Sequence, residues 1–414
     1  MKFYKKLMIQ TVKNMYHFFQ AILANLWYGF PSRSLKVIGV TGTDGKTTSV
    51  HLIYHILKNN GKKVSMISTV YAQIGVRTYD TGFHTTTPNS FLIQKLLRLA
   101  VDNRDEYFVL ETTSHRLDQN SLWGIEFEVS LITNITHEHL DYHKTYQKYI
   151  ETKAKIISLS KITLINKDDE SYPNLLNASR GGIIRTFSLK QKADYTINYQ
   201  AIYTDITNYN AYNYLGVFGV CEMLGISRSQ ITRCIKSFKL PKGRLEMVYD
   251  EDFKIIVDFA HTPRALTEVL TGIKKKYINT KHKGKLIHVF GSAGLRDATK
   301  RFSMGYASGS YSDITILTEE DYRTESLIKI CEQIGKGLLK RGFKFKKYNL
   351  LEQCDNKKYT IIYKRDEAIN KSISLANKND VIIITGKGHE QSLCRGNKEY
   401  VWNDIEYVKS LKLV

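Results

Sequence analysis

The stretch Val37-Ile38-Gly39-Val40-Thr41-Gly42-Thr43-Asp44-Gly45-Lys46-Thr47-Thr48 decides the reading of this sequence. An apolar run of strand type ends in a glycine-rich turn, and Lys46-Thr47-Thr48 opens a new periodicity. Val50, Ile53, Tyr54 and Leu57 recur at helical spacing until Gly61, which reads as the C-terminal cap. Strand, turn and helix start together make a phosphate cradle, because backbone N–H groups and the positive end of the helix dipole face the anion. In such a cradle Lys46 reaches the β- and γ-phosphates and the Thr47 hydroxyl sits on Mg²⁺. Val40 stands where the GxxxxGK[ST] pattern has its first glycine. The flanking elements still point to a nucleoside triphosphate site.

The remaining composition bounds the class. A chain of 414 residues is long enough for two or three domains, each with its own core. Lys+Arg 61 against Asp+Glu 40 gives a formal charge of +21, which suits phosphates, carboxylates or an anionic surface. No Lys/Arg block or aromatic-basic RNA motif appears, so nucleic acid is not the expected partner. The five cysteines (Cys221, Cys234, Cys331, Cys354, Cys394) are scattered, with no CxxC pair. Neither a zinc knuckle nor a disulfide framework is supported, and a reducing cytoplasmic setting is expected.

Residues 1–35 stand apart as an amphipathic helical segment. Lys2, Lys5 and Lys6 precede an apolar stripe of Met8, Val12, Met15, Phe19, Ile22 and Leu26, one face of a helix. Lys13, Asn14, His17, Gln20 and Asn25 interrupt it, so no run approaches the ~18–20 apolar residues of a spanning helix. Trp27, Tyr28 and Phe30 follow, and Pro31 stops the helix. Three readings stay open: a helix packed on its own domain, an interfacial membrane helix giving peripheral contact through residues 1–30, and a partner-binding helix.

Beyond the cradle, Val64–Ser68 reads as a strand, and His84-Thr85-Thr86-Thr87-Pro88 as a hydroxyl-rich loop before a helix over Ser90–Ala100. Tyr107-Phe108-Val109-Leu110 runs into Glu111, a carboxylate at the end of a buried strand, where a metal-binding group belongs. Thr133-Asn134 precedes His137-Glu138-His139-Leu140-Asp141-Tyr142-His143. That spacing is not HExxH and no cysteine is near, so oxygen-preferring Mg²⁺ with one imidazole is expected rather than zinc. A helix over Tyr149–Ser158 carries Lys153, Thr163–Asn166 is a strand, and Asn210–Leu224 a helix capped by Gly225. After Pro241-Lys242-Gly243 the alternation restarts, with strands at Ile255–Val257, Leu286–Phe290, Ile314–Leu317, Thr360–Tyr363 and Val381–Ile384. The expected architecture is α/β: a P-loop-type parallel-sheet ATPase domain over 36–241, then a Rossmann-like α/β domain over 242–414. Loops at 258–263, 291–301, 319–325 and 386–390 gather the unusual residues at strand carboxyl ends, where ligands bind.

With these residues laid out, the chain resembles the Mur ligase family, ATP-dependent amino-acid ligases of cell-wall peptide synthesis. Within it the likeness is to the branch that adds the third residue, usually meso-diaminopimelate or lysine, to the muramoyl dipeptide. The motifs run in order from Gly42–Thr48 through Thr85–Pro88, Glu111 with Ser114-His115, Thr133-Asn134 with His139–His143, Lys153, Asn210 and Asn213, Gly243-Arg244 with Glu246, and Asp258–Pro263, to Arg296-Asp297 with Lys300-Arg301 and Gly386–Glu390. The resemblance implies ATP and two Mg²⁺ ions. Gly42, Thr43, Asp44, Gly45, Lys46, Thr47, Thr48, Asn213, Arg244 and Asp258 would bind the nucleotide. Thr47, Glu111, His139 and a carbamylated Lys153 would serve the metals, and Lys46, Glu111, His139, Lys153 and Arg244 the chemistry. Thr86, Thr87, Ser114 and His115 would meet the acceptor, and Arg296, Asp321, Arg323, Gly386 and Glu390 the incoming amino acid.

Departures shape the expectation. Lys36 begins the ATPase domain almost at once, so the family's UDP-gripping domain is expected to be missing, and Ser121 stands where relatives have a substrate-binding arginine. The segment between Ala193 and Asn210 is short, as if a β-hairpin were lost. The Asp-Asn-Pro-Arg signature becomes Glu320-Asp321-Tyr322-Arg323, keeping the guanidinium that clamps a carboxylate. The leading expectation is an amide-forming ligase of the muramoyl-tripeptide type, acting as a monomer. The alternatives are a folylpolyglutamate-type or other peptide ligase, and a membrane-recruited NTP-binding scaffold.

Overall fold

The structure, a computed structural model, describes residues 2–82, 86–179, 181–196, 208–278, 283–352 and 355–413, without the side chains of 2–9, 208 and 209. Two compact units meet in sequence at Lys239 and Leu240. The first carries β1 (Lys36–Thr41), β2 (Val64–Ile67), β3 (Ala72–Ile74), β4 (Arg77–Tyr79), β5 (Tyr107–Glu111), β6 (Phe127–Ile132), β7 (Ser160–Asn166) and β8 (Ile183–Phe187). Their order is β4-β3-β2-β5-β1-β6-β7-β8. From β2 to β8 every pairing is parallel, and β3 and β4 add an antiparallel edge that the sequence periodicity does not announce.

This order positions the site. β1 lies between β5 and β6, with Val40 opposite Glu111 on one side and Thr41 opposite Ile132 on the other. The Gly42–Gly45 loop, Glu111 and Thr133-Asn134 therefore emerge from adjacent strand ends. β1, β2 and β5 are buried over almost their whole length, as expected of a sheet covered on both faces. Gly39 admits this packing, since a Cβ there would press on Phe127 and Ile156.

The helix Lys46–Asn59 starts at Gly45, whose φ of 84° favours glycine, and buries Val50, Leu52, Ile53, Ile56 and Leu57. Its C-cap is Asn60, and Gly61 follows in the left-handed region with φ 73°. The helix bearing Lys153 begins at Tyr146, a turn earlier than its apolar spacing suggests, because Thr145 caps it by accepting from the Lys148 N–H. The expected hairpin loss between Ala193 and Asn210 falls largely outside the described residues, as does Thr85. Among the described residues no helix is long and apolar enough to cross a membrane. Cys221, Cys234, Cys331 and Cys394 are free thiols, all buried.

The helix Lys2–Tyr28 turns its apolar stripe outward. Val12, Met15, Phe19 and Leu26 are 55–62% exposed, while Ala21, Ala24 and Asn25 are buried. The helix packs on its own unit by its polar and small face.

The second unit holds β9 (Glu246–Asp250), β10 (Lys254–Asp258), β11 (Leu286–Phe290), β12 (Ile314–Leu317), β13 (Lys344–Phe345), β14 (Lys358–Ile361), β15 (Val381–Thr385), and a hairpin of β16 (Ser392–Arg395) and β17 (Lys398–Val401). The order β13-β14-β12-β11-β15-β10-β9 is parallel except for β9. β14 begins two residues before the expected strand. Because β12, β11, β15 and β10 are neighbours in one direction, their four following loops share one edge.

A buried ion pair locks that edge. Arg365 is fully buried and grips Asp404 with two hydrogen bonds of 2.7 Å, donating also to the carbonyls of Glu319 and Thr385. Glu319 in turn accepts from Arg395 at 2.8 and 2.5 Å. Removing one partner of such a pair strands the other charge in low dielectric. Arg365→Met should therefore destabilise the second unit by about 3–5 kcal/mol. The loss is read from urea unfolding followed by tryptophan fluorescence, since the Trp402 indole N–H donates to Asp404. The double variant Arg365→Met/Asp404→Leu should recover most of it.

Candidate active site

The cradle is held open by its neighbours. The Asp44 N–H donates to the Asn134 carboxamide at 3.0 Å, while Asn134 and Thr133 donate back to the Asp44 carbonyl at 2.9 and 2.7 Å. The Thr43 N–H donates to the Asn134 carbonyl, and its hydroxyl lies 3.2 Å from the Tyr149 hydroxyl. Gly42, Gly45, Thr47 and Thr48 follow the fold of the loop, with both threonines buried. Asn213 lies against Gly45 so closely that any side chain there would overlap its carboxamide.

Glu111 is almost wholly buried at the end of β5. It accepts from the Thr47 hydroxyl at 3.0 Å, and from the Thr69 N–H and hydroxyl, both at 2.8 Å. Ligands in adjacent positions of an octahedral Mg²⁺ site lie about 2.9 Å apart, given metal–oxygen distances near 2.1 Å. The hydroxyl of Thr47 and the carboxylate of Glu111 fit that cation in both donor type and spacing.

Two lysines converge on one carbonyl. Lys46 Nζ donates to the Gly42 carbonyl at 3.0 Å and to that of Thr43 at 2.8 Å. Lys153 Nζ donates to the same Gly42 oxygen at 2.7 Å and lies 4.9 Å over the Tyr149 ring. Lys153 is buried, and the Glu138 and Asp44 carboxylates oppose the fall in its pKa. Burial, with the nearby Lys46 charge adding to it, holds the Lys153 amine well below the ordinary lysine range.

A third group surrounds His139. It adopts φ 56° at the start of the short helix Leu140–His143, and its Nε2 lies 3.9 Å from the Glu138 carboxylate. Its ring meets that of His115 at 5.0 Å, and His115 lies 4.2 Å from Tyr142. Ser114 bonds His143 Nε2 at 2.9 Å, and the Thr87 hydroxyl donates to the Glu111 carbonyl. Thr86 is half-buried in the loop beside Thr87. Ser121 is buried, its carbonyl accepting from Ser90. Thus Thr47 meets Glu111, while Lys46 and Lys153 share the Gly42 carbonyl, and the His139 ring lies 6.2 Å from that of Tyr149, over which Lys153 sits. Among the described residues no group of three or more His, Cys, Asp or Glu is placed to hold a metal ion.

The second unit gathers the remaining residues by itself. Asp258 accepts from the N–H groups of Leu245 and Ala260 at 2.8 and 2.7 Å, and burial raises its pKa despite the opposing Arg244 charge. The Arg244 guanidinium stacks 4.5 Å over Phe259. Asp321 accepts from Lys387 Nζ and from the Cys394 N–H, both at 2.9 Å, and Lys387 also pairs with Glu390. Arg323, at φ 52°, donates to the carbonyls of Gly294 and Asp321. Gly386, at φ 105°, lies against the buried Glu320 carboxyl, which burial pushes above its usual pKa. Arg296 is exposed on its turn and outside this network.

Comparison with known proteins follows the same division. Residues 40–221 match the Mur ligase middle domain, and residues 243–388 match the Mur ligase, glutamate ligase domain. The chain belongs to the Mur ligase family. Family members are ATP-dependent ligases that form amide bonds. A Clostridium botulinum UDP-N-acetylmuramoyl-L-alanyl-D-glutamate--2,6-diaminopimelate ligase is 32% identical, over 94% of this chain and 80% of its own. A Borreliella burgdorferi UDP-N-acetylmuramyl-tripeptide synthetase is 35% identical, over 95% and 79%. Among solved structures, the Mycobacterium tuberculosis folylpolyglutamate synthase complexed with ADP and AMPPCP superposes with a TM-score of 0.69, over 89% of this chain and 92% of its own. At 15% identity that likeness is one of fold.

Sequence reasoning missed three groups in this Mur ligase. Thr69, just after β2, makes two of the hydrogen bonds to Glu111, yet nothing in its local pattern marks it. Tyr149 entered only as the start of a helix, though its ring lies 4.9 Å from Lys153 Nζ and its hydroxyl meets Thr43. Lys387 was visible in Gly386–Glu390, but only the fold shows it fully buried between Asp321 and Glu390.

The buried histidines give this Mur ligase a pH signature. Burial, with His115 adding to it, lowers the His143 pKa to about 3, and burial, with Arg365 adding to it, does the same for His288. The unfolded chain binds more protons than the folded one between pH ~3 and ~6.5, so stability rises with pH across that window. Acidification from pH 7 to pH ~5 should cost about 1–2 kcal/mol per histidine. His143→Gln should flatten the slope of stability against pH, as measured by urea unfolding at several pH values.

Proposed function

We propose that this Mur ligase adds an amino acid to a muramoyl-peptide-like carboxylate in peptidoglycan synthesis. The incoming residue is a diamino acid, meso-diaminopimelate or lysine. One observation carries the reading: the Thr47–Glu111 pair stands beside two lysines converging on the Gly42 carbonyl. An anion and a cation site side by side are what phosphoryl transfer needs. The 32–35% identity to relatives named for the diaminopimelate and tripeptide reactions supports the substrate class.

In this reading Gly42–Thr48, Asn213, Arg244 and Asp258 bind ATP. Thr47 and Glu111 would hold one Mg²⁺, and His139 with Lys153 would serve a second. When bound, the ions offset the charge of the phosphates and the acceptor carboxylate. A free ammonium suits a cation site poorly. Burial holds the Lys153 amine well below the ordinary lysine range, which favours its attack on CO₂: an N–C bond forms, a proton leaves to solvent, and a carbamate anion replaces the amine.

The acceptor carboxylate oxygen attacks the γ-phosphorus, the bond to the β-phosphate oxygen breaks, and ADP departs. The neutral amine then attacks the acyl carbon, and the tetrahedral adduct expels inorganic phosphate and loses the amine proton. Lys46 stabilises charge on the transferring phosphoryl group. Thr86, Thr87, Ser114 and His115 position the acceptor. Arg323, with Arg296, Asp321, Gly386 and Glu390, receives the amino acid, the Arg323 guanidinium taking its distal carboxylate.

Incubation with ATP, Mg²⁺, UDP-muramoyl-dipeptide and each diamino acid should release ADP and yield a product heavier by one dehydrated residue, read by mass spectrometry. No product across muramoyl acceptors, with turnover on a folyl acceptor, would transfer the reading to folylpolyglutamate-type ligation. Silence with intact ATP binding would favour a scaffold. Lys153→Ala should lower kcat by at least ~100-fold, and stripping CO₂ from wild-type protein should lower activity until bicarbonate is restored. Arg323→Ala should raise the KM for diaminopimelate about 10–100-fold and that for lysine far less. Sedimentation equilibrium should find a monomer.

A further inference from the structure

The helix Lys2–Tyr28 presents its faces in the reverse of the usual order. Its inner face is polar and small. Gln10 donates to the Tyr142 hydroxyl at 2.6 Å, Asn14 donates to Asp118 at 3.0 Å, and Asn25 donates to the Trp123 carbonyl at 2.7 Å. On the opposite side Val12, Met15, Phe19, Leu23, Leu26 and Trp27 are 55–79% exposed. At ~100° per residue these six fall within an arc of about 120°, a continuous apolar stripe facing outward. Amphipathic helices on globular units bury such a stripe, so this one is matched to something outside the unit.

We propose that this stripe seats on an anionic lipid bilayer, with the helix lying in the plane of the interface. Charge identifies the occupant. Residues 1–43 carry Lys2, Lys5, Lys6, Lys13, Arg33 and Lys36 and no Asp or Glu. A cationic flank, Leu/Phe in the stripe and Trp27 at its end are the composition of an interfacial helix. A second copy would bring cations against cations with no carboxylate on either helix to pair them. The helix does not span, and its polar face is already engaged by Tyr142 and Asp118. The same contacts join the stripe to the segment bearing His139, so a docked molecule holds that segment near the lipid surface; only the use of this proximity for an acceptor rests on the ligase reading.

Vesicle co-sedimentation tests docking without any turnover. The full chain should sediment with vesicles of about one third phosphatidylglycerol in phosphatidylcholine, and far less with phosphatidylcholine alone. Phe19→Asp/Leu23→Asp should lower the partition coefficient at least ~10-fold, and Trp27→Ser by a smaller factor. These side chains are more than half exposed, so circular dichroism and thermal melting should match the parent. ADP release in detergent-free solution without vesicles reports the ligase reading separately. Wild-type protein remaining in the supernatant with both vesicle types would overturn the proposal. So would equal sedimentation of the double variant, or a concentration-dependent dimer that the variant abolishes.

Discussion

The phosphate loop is organised around two lysine amines that share one backbone carbonyl. Lys46 and Lys153 both donate to the Gly42 carbonyl, and the second is buried. Lys46 also donates to the Thr43 carbonyl, so backbone oxygens fix both amines at the loop. Burial, with Lys46 adding to it, lowers the Lys153 pKa, because a charged amine is costly to hold out of water. Asn134, Thr133 and Tyr149 spend their hydrogen bonds fixing the loop backbone, and Thr69 fixes Glu111. The shape of the cradle is thus set before any ligand arrives.

The second unit solves a different problem, since its ligand edge carries many carboxylates. Glu319, Asp321, Glu390 and Asp404 are paired with Arg395, Lys387 and Arg365 in buried or half-buried contacts. Burial raises the pKa of Glu320, as it does that of Asp258. The loops on this edge also hold Leu245, Leu295 and Arg323 at positive φ. Non-glycine residues pay strain in that region, and here they aim backbone groups where a regular turn would not.

Much of this arrangement was legible in the sequence, and the reason is physical. Loop 42–48, Glu111 at the end of an apolar run, and the four loops of the second unit are local patterns that strand order then brings together. Leu286–Phe290 and Ile314–Leu317 match the sequence reading residue for residue, because buried parallel strands are uninterrupted apolar runs. What stayed hidden depends on distant pairing. Thr69 matters because β2 lies beside β5, and Tyr149 because its helix packs across β1. The antiparallel β3 and β4 are three residues each, too short to show a period. The N-terminal helix was legible as amphipathic, but which face it turns inward was not, since Gln10, Asn14 and Asn25 find partners only in the folded unit.

The central place of β1 also has a consequence for how the molecule is made. Its partners β5 and β6 begin at Tyr107 and Phe127, roughly seventy and ninety residues later in the chain. During synthesis this almost fully buried strand therefore leaves the ribosome well before anything can cover its edges. Parallel pairing of this kind closes large loops and forms slowly. An uncovered strand of that composition is a surface for chaperones or for aggregation, so productive folding is limited by how long β1 must wait.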